Sequence, residues 1–134
     1  MATRREARRI AIDIVYQADI TGEAAPEVAA GWRAAEREVP EFSQELAEGV
    51  AERQPEIDLL LETHSEGWSV ARMAALDRSI LRVAVYELLW REDVPSAVAI
   101  SEAVEAANEL STDDSGRFVN GVLGKIARDA AEPA

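Results

Sequence analysis

The sequence predicts an all-α protein, a compact bundle of about seven helices in a single domain spanning residues 1–134. Three observations support this prediction. Apolar residues recur at the three- and four-residue spacing of an α-helix through most of the chain. No stretch of useful length alternates apolar and polar residues as a β-strand does. The connections between the helical segments are short, and several contain proline or glycine.

The first predicted helix runs from about residue 4 to Asp19 and ends near Gly22. Thr3 is suited to cap its start, and Glu6 follows three residues later, as in a capping box. A helix of this length is expected to bury its apolar stripe against the other helices.

A second helix is predicted over about residues 26–38, and Pro40 begins a third. Pro55 is expected to begin or kink a further helical segment. Proline lacks the backbone N–H that a helix interior needs, and its ring clashes with the preceding turn. Counting this segment separately gives the total of about seven helices.

The second half of the chain is predicted to hold three helices after a loop and turn that end near Met73. The helix over about 76–91 is apolar around most of its circumference, which is typical of the central helix of a bundle. Two more helices are predicted over about 97–110 and 115–129, followed by a frayed Ala/Glu-rich tail.

The composition excludes several kinds of site. The chain has no cysteine and one histidine, which excludes disulfides, thiolate metal sites and multi-histidine metal sites. No run of about 18 apolar residues and no secretory signal is present, so we expect a cytoplasmic protein without a membrane-spanning helix. The carboxylates are scattered and no glycine-rich phosphate loop occurs, so we predict a non-enzymatic protein without a cofactor.

Charge is distributed unevenly along the chain. The net charge is −12, but residues 1–9 contain four arginines and one glutamate, which leaves −15 on the remainder. An acidic surface repels polyanions, so a nucleic acid would be confined to the basic end. The acidic remainder favours solubility and would also attract a basic protein.

The first candidate site is the arginine cluster formed by Arg4, Arg5, Arg8 and Arg9. On a helix these residues form two i,i+4 pairs at adjoining positions, which predicts one continuous basic edge. Guanidinium groups match phosphate oxygens in a bidentate geometry, and this favours a nucleic-acid ligand. A solvated run of charges is the alternative that the sequence leaves open.

The second candidate site is the start of the last helix. Asp114 is predicted to be its N-cap. Ser115 and Arg117 would offer a hydroxyl and a cation to a phosphate or a base edge. Phe118 would stack on an unpaired base or lie in the core. Capping and packing without any ligand is the alternative for this segment.

Other prominent residues are predicted to be structural. Gly121 and Gly124 would allow a neighbouring helix to pack closely, and Glu87 with Arg91 has the i,i+4 order that stabilises a helix. The tryptophans are predicted to form core or inter-helix contacts: Trp32, Trp68 and Trp90.

Four segments of the chain are informative when they are taken together. They are Arg4-Arg5-x-Ala7-Arg8 with Val15-Tyr16-Gln17, then Ile80 to Leu88, Val94 to Glu105 and Ser115 to Leu123. Each is modest alone, but in this order over nearly the whole chain they resemble the NusB family of bacterial transcription antitermination factors. The chain departs from the family pattern at Glu6, Ser101 and Asn108, where a basic residue, an asparagine and a lysine are frequent.

The resemblance implies an all-helical fold of two small helical subdomains. It implies binding to boxA, a short single-stranded element of ribosomal RNA leader transcripts, together with NusE, a small-subunit ribosomal protein. The complex would then join RNA polymerase with other Nus factors to suppress termination. Tyr16 and Asp77 match family positions near the partner and the RNA, and we assign them to partner binding. The RNA contacts that it implies are Arg4, Arg5, Arg8, Arg9, Asp114, Ser115, Arg117 and Phe118.

Two other interpretations stay open. In one of them, the chain is a protein-interaction or homodimerisation module, and its N-terminal arginines pack against the acidic remainder of the same chain. A detached helical domain like that preceding ribosomal RNA methyltransferases is the third interpretation, and the length of 134 residues disfavours it because no cofactor-binding domain would fit.

Overall fold

The structure, a computed structural model, describes residues 2–131 and contains six α-helices and one 3₁₀ turn in that range. The all-α prediction is confirmed. Within the described range no helix is long and apolar enough to cross a membrane. The helices are α1 Arg4–Thr21, α2 Ala25–Ala34, α3 Glu41–His64, α4 Ala75–Trp90, α5 Ser96–Leu110 and α6 Asp113–Ala131, with the 3₁₀ turn at Val70–Arg72.

The predicted count of about seven helices is wrong, because Pro55 does not divide α3. The helix continues through Pro55 for nine further residues to His64. Pro55 is exposed, so its ring lies on the solvent side, where the carbonyl left without an N–H partner can be hydrated. The last helix also extends two residues beyond its predicted end, to Ala131, and the rest of the predicted frayed tail lies outside the described residues.

The ends of α1 follow the predicted signals. The Thr3 side chain accepts a hydrogen bond from the backbone N–H of Glu6 at 3.1 Å, which is the N-cap contact of a capping box. At the other end Gly22 takes a left-handed conformation with φ 81°, and its N–H bonds the carbonyl of Ala18. A glycine adopts this conformation at no steric cost, so the helix stops there.

α2 ends earlier than predicted, at Ala34 rather than near residue 38. Glu36 has a φ of 63°, which ends the helical path. The chain then turns back, so that the Arg37 guanidinium lies 3.4 Å from the centre of the Trp32 ring. The cation–π contact and the turn together fix the exit from α2.

α4 is the central helix, as predicted. It packs against α1, α3, α5 and α6, whereas α2 packs against α1 and α3. One cluster of buried apolar side chains draws on all six helices. The buried residues of α4 that belong to it are Ile80, Leu81, Val83, Ala84 and Val85.

The glycines that allow close packing are not those predicted. A β-carbon at Gly121 would meet nothing within 4 Å, and one at Gly124 would meet only the Arg128 guanidinium. A β-carbon at Gly49 would instead overlap the ring of Tyr86, and one at Gly116 would overlap the amide of Asn108. Gly49 therefore sets the approach of α3 to α4, because the ring that it meets is half-buried between them, whereas Asn108 is exposed and its amide can turn away from Gly116.

The three tryptophans have different environments. Trp32 is buried, and Trp90 is half-buried with its ring stacked on Tyr86 at a centroid distance of 6.2 Å. Trp68 is 53% exposed, so its predicted place in the core or between helices is wrong.

Candidate nucleic-acid interface

The arginine cluster lies on the first two turns of α1, as the sequence predicted. The side chains of Arg4 and Arg5 are half-exposed, and that of Arg9 is about one-fifth exposed. Arg8 points the other way and is buried. Three of the four guanidinium groups are therefore placed at the surface.

Each surface arginine is paired with a carboxylate of the same chain. Arg4 contacts Asp93 at 2.8 Å, in the connection between α4 and α5. On α5, Glu102 and Glu105 lie 3.1 and 2.5 Å from Arg5, and Glu109 lies 2.9 Å from Arg9. The predicted continuous basic edge is thus interleaved with the acidic side of α5.

The pKa values of this surface reflect the pairing. The hydrogen bond from Arg9 holds the pKa of Glu109 below its ordinary value. Hydrogen bonds from Arg91 and then Arg4 do the same for the pKa of Asp93. These carboxylates stay ionised at neutral pH, so a phosphate that approaches the arginines must compete with them.

Arg8 forms a buried ion pair with Glu87 of α4. The Arg8 Nε donates to both carboxylate oxygens, at 2.8 and 3.0 Å, and Glu87 is 2% exposed. Burial raises the pKa of Glu87, and the hydrogen bond from Arg8 opposes this rise. The predicted pairing of Glu87 with Arg91 is wrong, because Arg91 instead contacts Glu45 and Asp93.

The start of α6 is capped by Thr112 and not by Asp114 as predicted. The Thr112 hydroxyl oxygen accepts a hydrogen bond from the backbone N–H of Ser115 at 3.0 Å. Asp114 lies within the first turn, strongly exposed, and forms an ion pair with Arg117. Asp114 is therefore free of a capping role, and its carboxylate faces solvent.

The Ser115 hydroxyl joins α6 to α4. It donates to a carboxylate oxygen of Asp77, on the first turn of α4, at a distance of 3.0 Å. The other carboxylate oxygen of Asp77 is buried without a hydrogen-bond partner within the described residues. Asp77 and Ser115 were predicted for different ligands, but the structure places them in direct contact.

A groove of about 500 Å³ lies at this junction. It gathers four predicted site residues, namely Asp77, Asp114, Ser115 and Phe118. Phe118 is half-buried, which places it between the two predicted alternatives of core residue and base-stacking residue. The groove also includes residues that the sequence had not indicated: Trp68, Arg72, Met73 and Ala74.

Tyr16 lies apart from this groove. It is 39% exposed on α1 and lines a separate hollow of about 330 Å³ between α1 and α2. Trp32, Arg37 and Ile20 line the same hollow, and Ile20 is 61% exposed. The structure therefore does not bring Tyr16 and Asp77, the two predicted partner-binding residues, into one hollow.

Together, the fold and the groove define a class of protein, an all-helical bundle with a groove lined by polar and aromatic side chains where α4 meets α6. The NusB family model matches residues 5–128, and the chain belongs to the NusB family.

Curated relatives agree with this assignment. The transcription antitermination protein NusB of Saccharopolyspora erythraea is 53% identical over 131 residues, which cover 95% of this chain and 88% of that relative. The protein of the same name from Beutenbergia cavernae is 51% identical over 139 residues, with 96% and 91% covered.

Solved structures show the same fold. NusB of T. maritima matches with a TM-score of 0.86 at 32% identity, covering 96% of this chain and 92% of that one. A crystal structure of the antitermination factors NusB and NusE in complex with dsRNA matches with a TM-score of 0.82 at 25% identity, covering 94% and 96%.

Proposed function

We propose that this protein is a transcription antitermination factor that binds the boxA element of ribosomal RNA leader transcripts together with a NusE-type ribosomal protein. The observation that carries the proposal is the groove where α4 meets α6, which gathers Asp77, Asp114, Ser115 and Phe118. The similar NusB that forms a complex with NusE and dsRNA supports both classes of partner. The protein would act in the cytoplasm, where its complex would join RNA polymerase with other Nus factors.

In this proposal the arginines of α1 position the RNA backbone. Arg4, Arg5 and Arg9 have surface guanidinium groups, and each would exchange a carboxylate of its own chain for a phosphate. Arg8 is less suited to this role, because its guanidinium is buried against Glu87. We therefore assign Arg8 to holding α1 on α4.

The start of α6 would read the bases. Ser115 and Asp114 present a hydroxyl and a carboxylate, and Phe118 presents part of its ring. Sequence-specific RNA recognition commonly uses unstacked bases that lie on aromatic rings and bond to polar groups. The rigid packing of α6 on α5 and α4 would hold these groups in place.

The NusE-type partner would bind the more acidic parts of the surface. Ribosomal proteins are mostly basic, and the chain outside residues 1–9 carries a charge of −15. Tyr16, exposed beside Ile20 on α1, is the proposed contact on this side. A partner that neutralises carboxylates would also weaken their hold on the arginines.

The experiment is an anisotropy titration of labelled boxA RNA, with and without the NusE-type protein, and with a scrambled RNA as the control. We expect selective binding of boxA that tightens when the partner is added. Equal affinity for boxA and scrambled RNA under both conditions would contradict the proposal.

The ion pairs of α1 favour a second candidate function, a protein-interaction or homodimerisation module with masked RNA binding. Arg4, Arg5 and Arg9 are all occupied by carboxylates of the same chain, as that interpretation requires. Sedimentation velocity over a range of protein concentrations tests it. A mass that doubles with concentration, in a sample that does not shift boxA RNA, would support this function over the first.

A further inference from the structure

The groove contains an exposed aromatic residue that the packing of the core does not explain. Trp68 is 53% exposed, although tryptophan gains more than most residues from burial. It lies in the connection between α3 and α4 and lines the groove together with Phe118 of α6. Two aromatic side chains thus reach the same opening from different parts of the chain.

The backbone around Trp68 is held on both sides. The Trp68 N–H bonds the carbonyl of Ser65 at 2.9 Å, and Gly67 supplies a φ of 75° for the turn. The next residues form the 3₁₀ turn, which begins at the buried residue Val70. The backbone N–H of Val70 donates a hydrogen bond to the Glu62 carboxylate at 2.7 Å.

A second set of contacts anchors the 3₁₀ turn to α4. The Arg78 guanidinium donates to the carbonyls of Val70 and Met73 at 2.9 and 3.1 Å. Met73 is itself buried. The turn is therefore fixed to the core, and the exposed indole of Trp68 is presented from a well-anchored segment.

The charges of the groove select what can enter it. Two carboxylates, those of Asp77 and Asp114, line it beside one cation, Arg72, and Arg117 is paired with Asp114. The carboxylates outnumber the arginine among the lining side chains, so the phosphate backbone of a nucleic acid is disfavoured inside the groove. An uncharged, planar and partly polar group suits two aromatic side chains, a hydroxyl and a carboxylate, and an unpaired nucleobase has these properties.

We propose that Trp68 and Phe118 form an aromatic cleft that stacks one unpaired base of a single-stranded RNA. The strand enters base first, and its phosphates stay outside the groove. This inference rests on the proposed function, since it adds a base-stacking residue to the same RNA-binding surface.

The test is an abasic scan of boxA RNA read by fluorescence anisotropy. Wild-type protein is titrated with a series of RNAs that each lack one base, and with the intact RNA. We expect one position at which loss of the base weakens binding about tenfold. In Trp68→Ala the intact RNA binds about tenfold more weakly, and the abasic substitution at that position has no further effect.

Three variants control this scan. Trp68→Phe keeps an aromatic ring and should retain affinity within about threefold. Leu59→Ala removes another exposed apolar side chain, 66% exposed on α3, and should leave binding unchanged. Circular dichroism shows whether Trp68→Ala is folded, and RNA-dependent quenching of tryptophan emission that is lost in Trp68→Phe but kept in Trp32→Phe reports the stacking directly.

The outcomes separate this inference from the proposed function. If wild type binds boxA selectively but folded Trp68→Ala binds it equally well, the aromatic cleft is disproved and the antitermination function stands. If Trp68→Ala binds the NusE-type protein more weakly but binds boxA RNA as wild type does, the groove is a protein-docking site and the inference is overturned. If wild type shows no selectivity for boxA, both proposals fail.

Discussion

The Arg8 guanidinium is buried against Glu87, which lies 79 residues further along the chain, with Nε–O distances of 2.8 and 3.0 Å. The pair joins the arginine-rich turn of α1 to the centre of α4 and removes one of four arginines from the surface. A buried charge is tolerated when it is paired, and loss of either partner leaves the other desolvated and unpaired. One of the four arginines predicted to bind RNA is thus a structural element of the core.

Replacing Arg8 by alanine should reduce the free energy of unfolding by about 3–5 kcal/mol, because Glu87 would remain buried without its partner. Glu87→Gln should also be destabilising, because the Arg8 guanidinium would then remain buried without an opposite charge. Urea denaturation followed by circular dichroism measures both. The double substitution Arg8→Met/Glu87→Leu should recover much of the loss, and Arg4→Ala, at a half-exposed pair, should have a small effect. An Arg8→Ala variant as stable as wild type would contradict this role.

Local sequence signals predicted most of the fold. The periodicity located the helices, and the Thr3 and Gly22 signals located the ends of α1. Contacts between residues far apart in the sequence could not be predicted in this way. The Arg8–Glu87 pair and the Ser115–Asp77 bond depend on how helices pack, and a single sequence does not encode that in any local pattern.

In the candidate site, too, local sequence signals indicated some of the residues, and tertiary contacts determined the others. Three of the residues predicted as a site at the start of α6, Asp114, Ser115 and Phe118, line one groove, and Asp77 of α4 lines it with them. Trp68 was predicted to form core or inter-helix contacts, and it is instead 53% exposed. Its exposure depends on the anchoring of the 3₁₀ turn by Arg78, which is a tertiary contact.

The salt dependence of RNA binding should show how many phosphates the surface arginines of α1 neutralise. If Arg4, Arg5 and Arg9 each neutralise one phosphate of a single strand, the log–log slope of affinity against salt should be roughly −2. Arg9→Ala should reduce the slope to about −1.4. Anisotropy titrations at four salt concentrations measure these slopes. An Arg9→Ala slope equal to that of wild type would place this arginine outside the RNA interface.

The carboxylates of α5 should oppose RNA binding. In Glu105→Gln/Glu109→Gln, Arg5 and Arg9 lose acidic partners, so they become more available to phosphates. We expect boxA affinity to rise about fivefold, measured by anisotropy at low salt. The matched control is Glu52→Gln/Glu56→Gln on α3, which changes the net charge equally at exposed positions outside the pairs of α1. Equal gains in both variants would mean that net charge alone, and not the release of these arginines, tightens binding.

Stability should fall in acid, and Asp19 should contribute to the fall. Its carboxylate bridges Arg78 and Arg82 at 2.5 and 3.2 Å. Burial favours a higher pKa for Asp19, but hydrogen bonds from Arg78 and Arg82 outweigh it and lower the pKa below the ordinary 3.8. The unfolded state therefore takes up a proton first as the pH falls. The stabilisation is present above about pH 4 and is lost as the pH drops through the lower, folded-state pKa.

Asp19→Asn should accordingly reduce the free energy of unfolding by about 2 kcal/mol at pH 7, and by progressively less below pH 4. Urea denaturation at pH 7, 5 and 3 measures the difference between the variant and wild type. A difference that stays constant across this range would show that Asp19 does not titrate between the folded and unfolded states.

Two glycine substitutions should have opposite effects on stability. In Gly49→Ala the new methyl group overlaps the Tyr86 ring, which is stacked on Trp90, so α3 and α4 must separate or the rings must shift. Overpacking of this kind costs about 1–3 kcal/mol. Gly121→Ala places a methyl group in open space on the exposed side of α6, where alanine is favoured over glycine by about 0.5–1 kcal/mol. Thermal denaturation of both variants provides the comparison. A stabilised Gly49→Ala variant would show that Tyr86 yields easily, and that the contact between α3 and α4 does not depend on the absence of a side chain at residue 49.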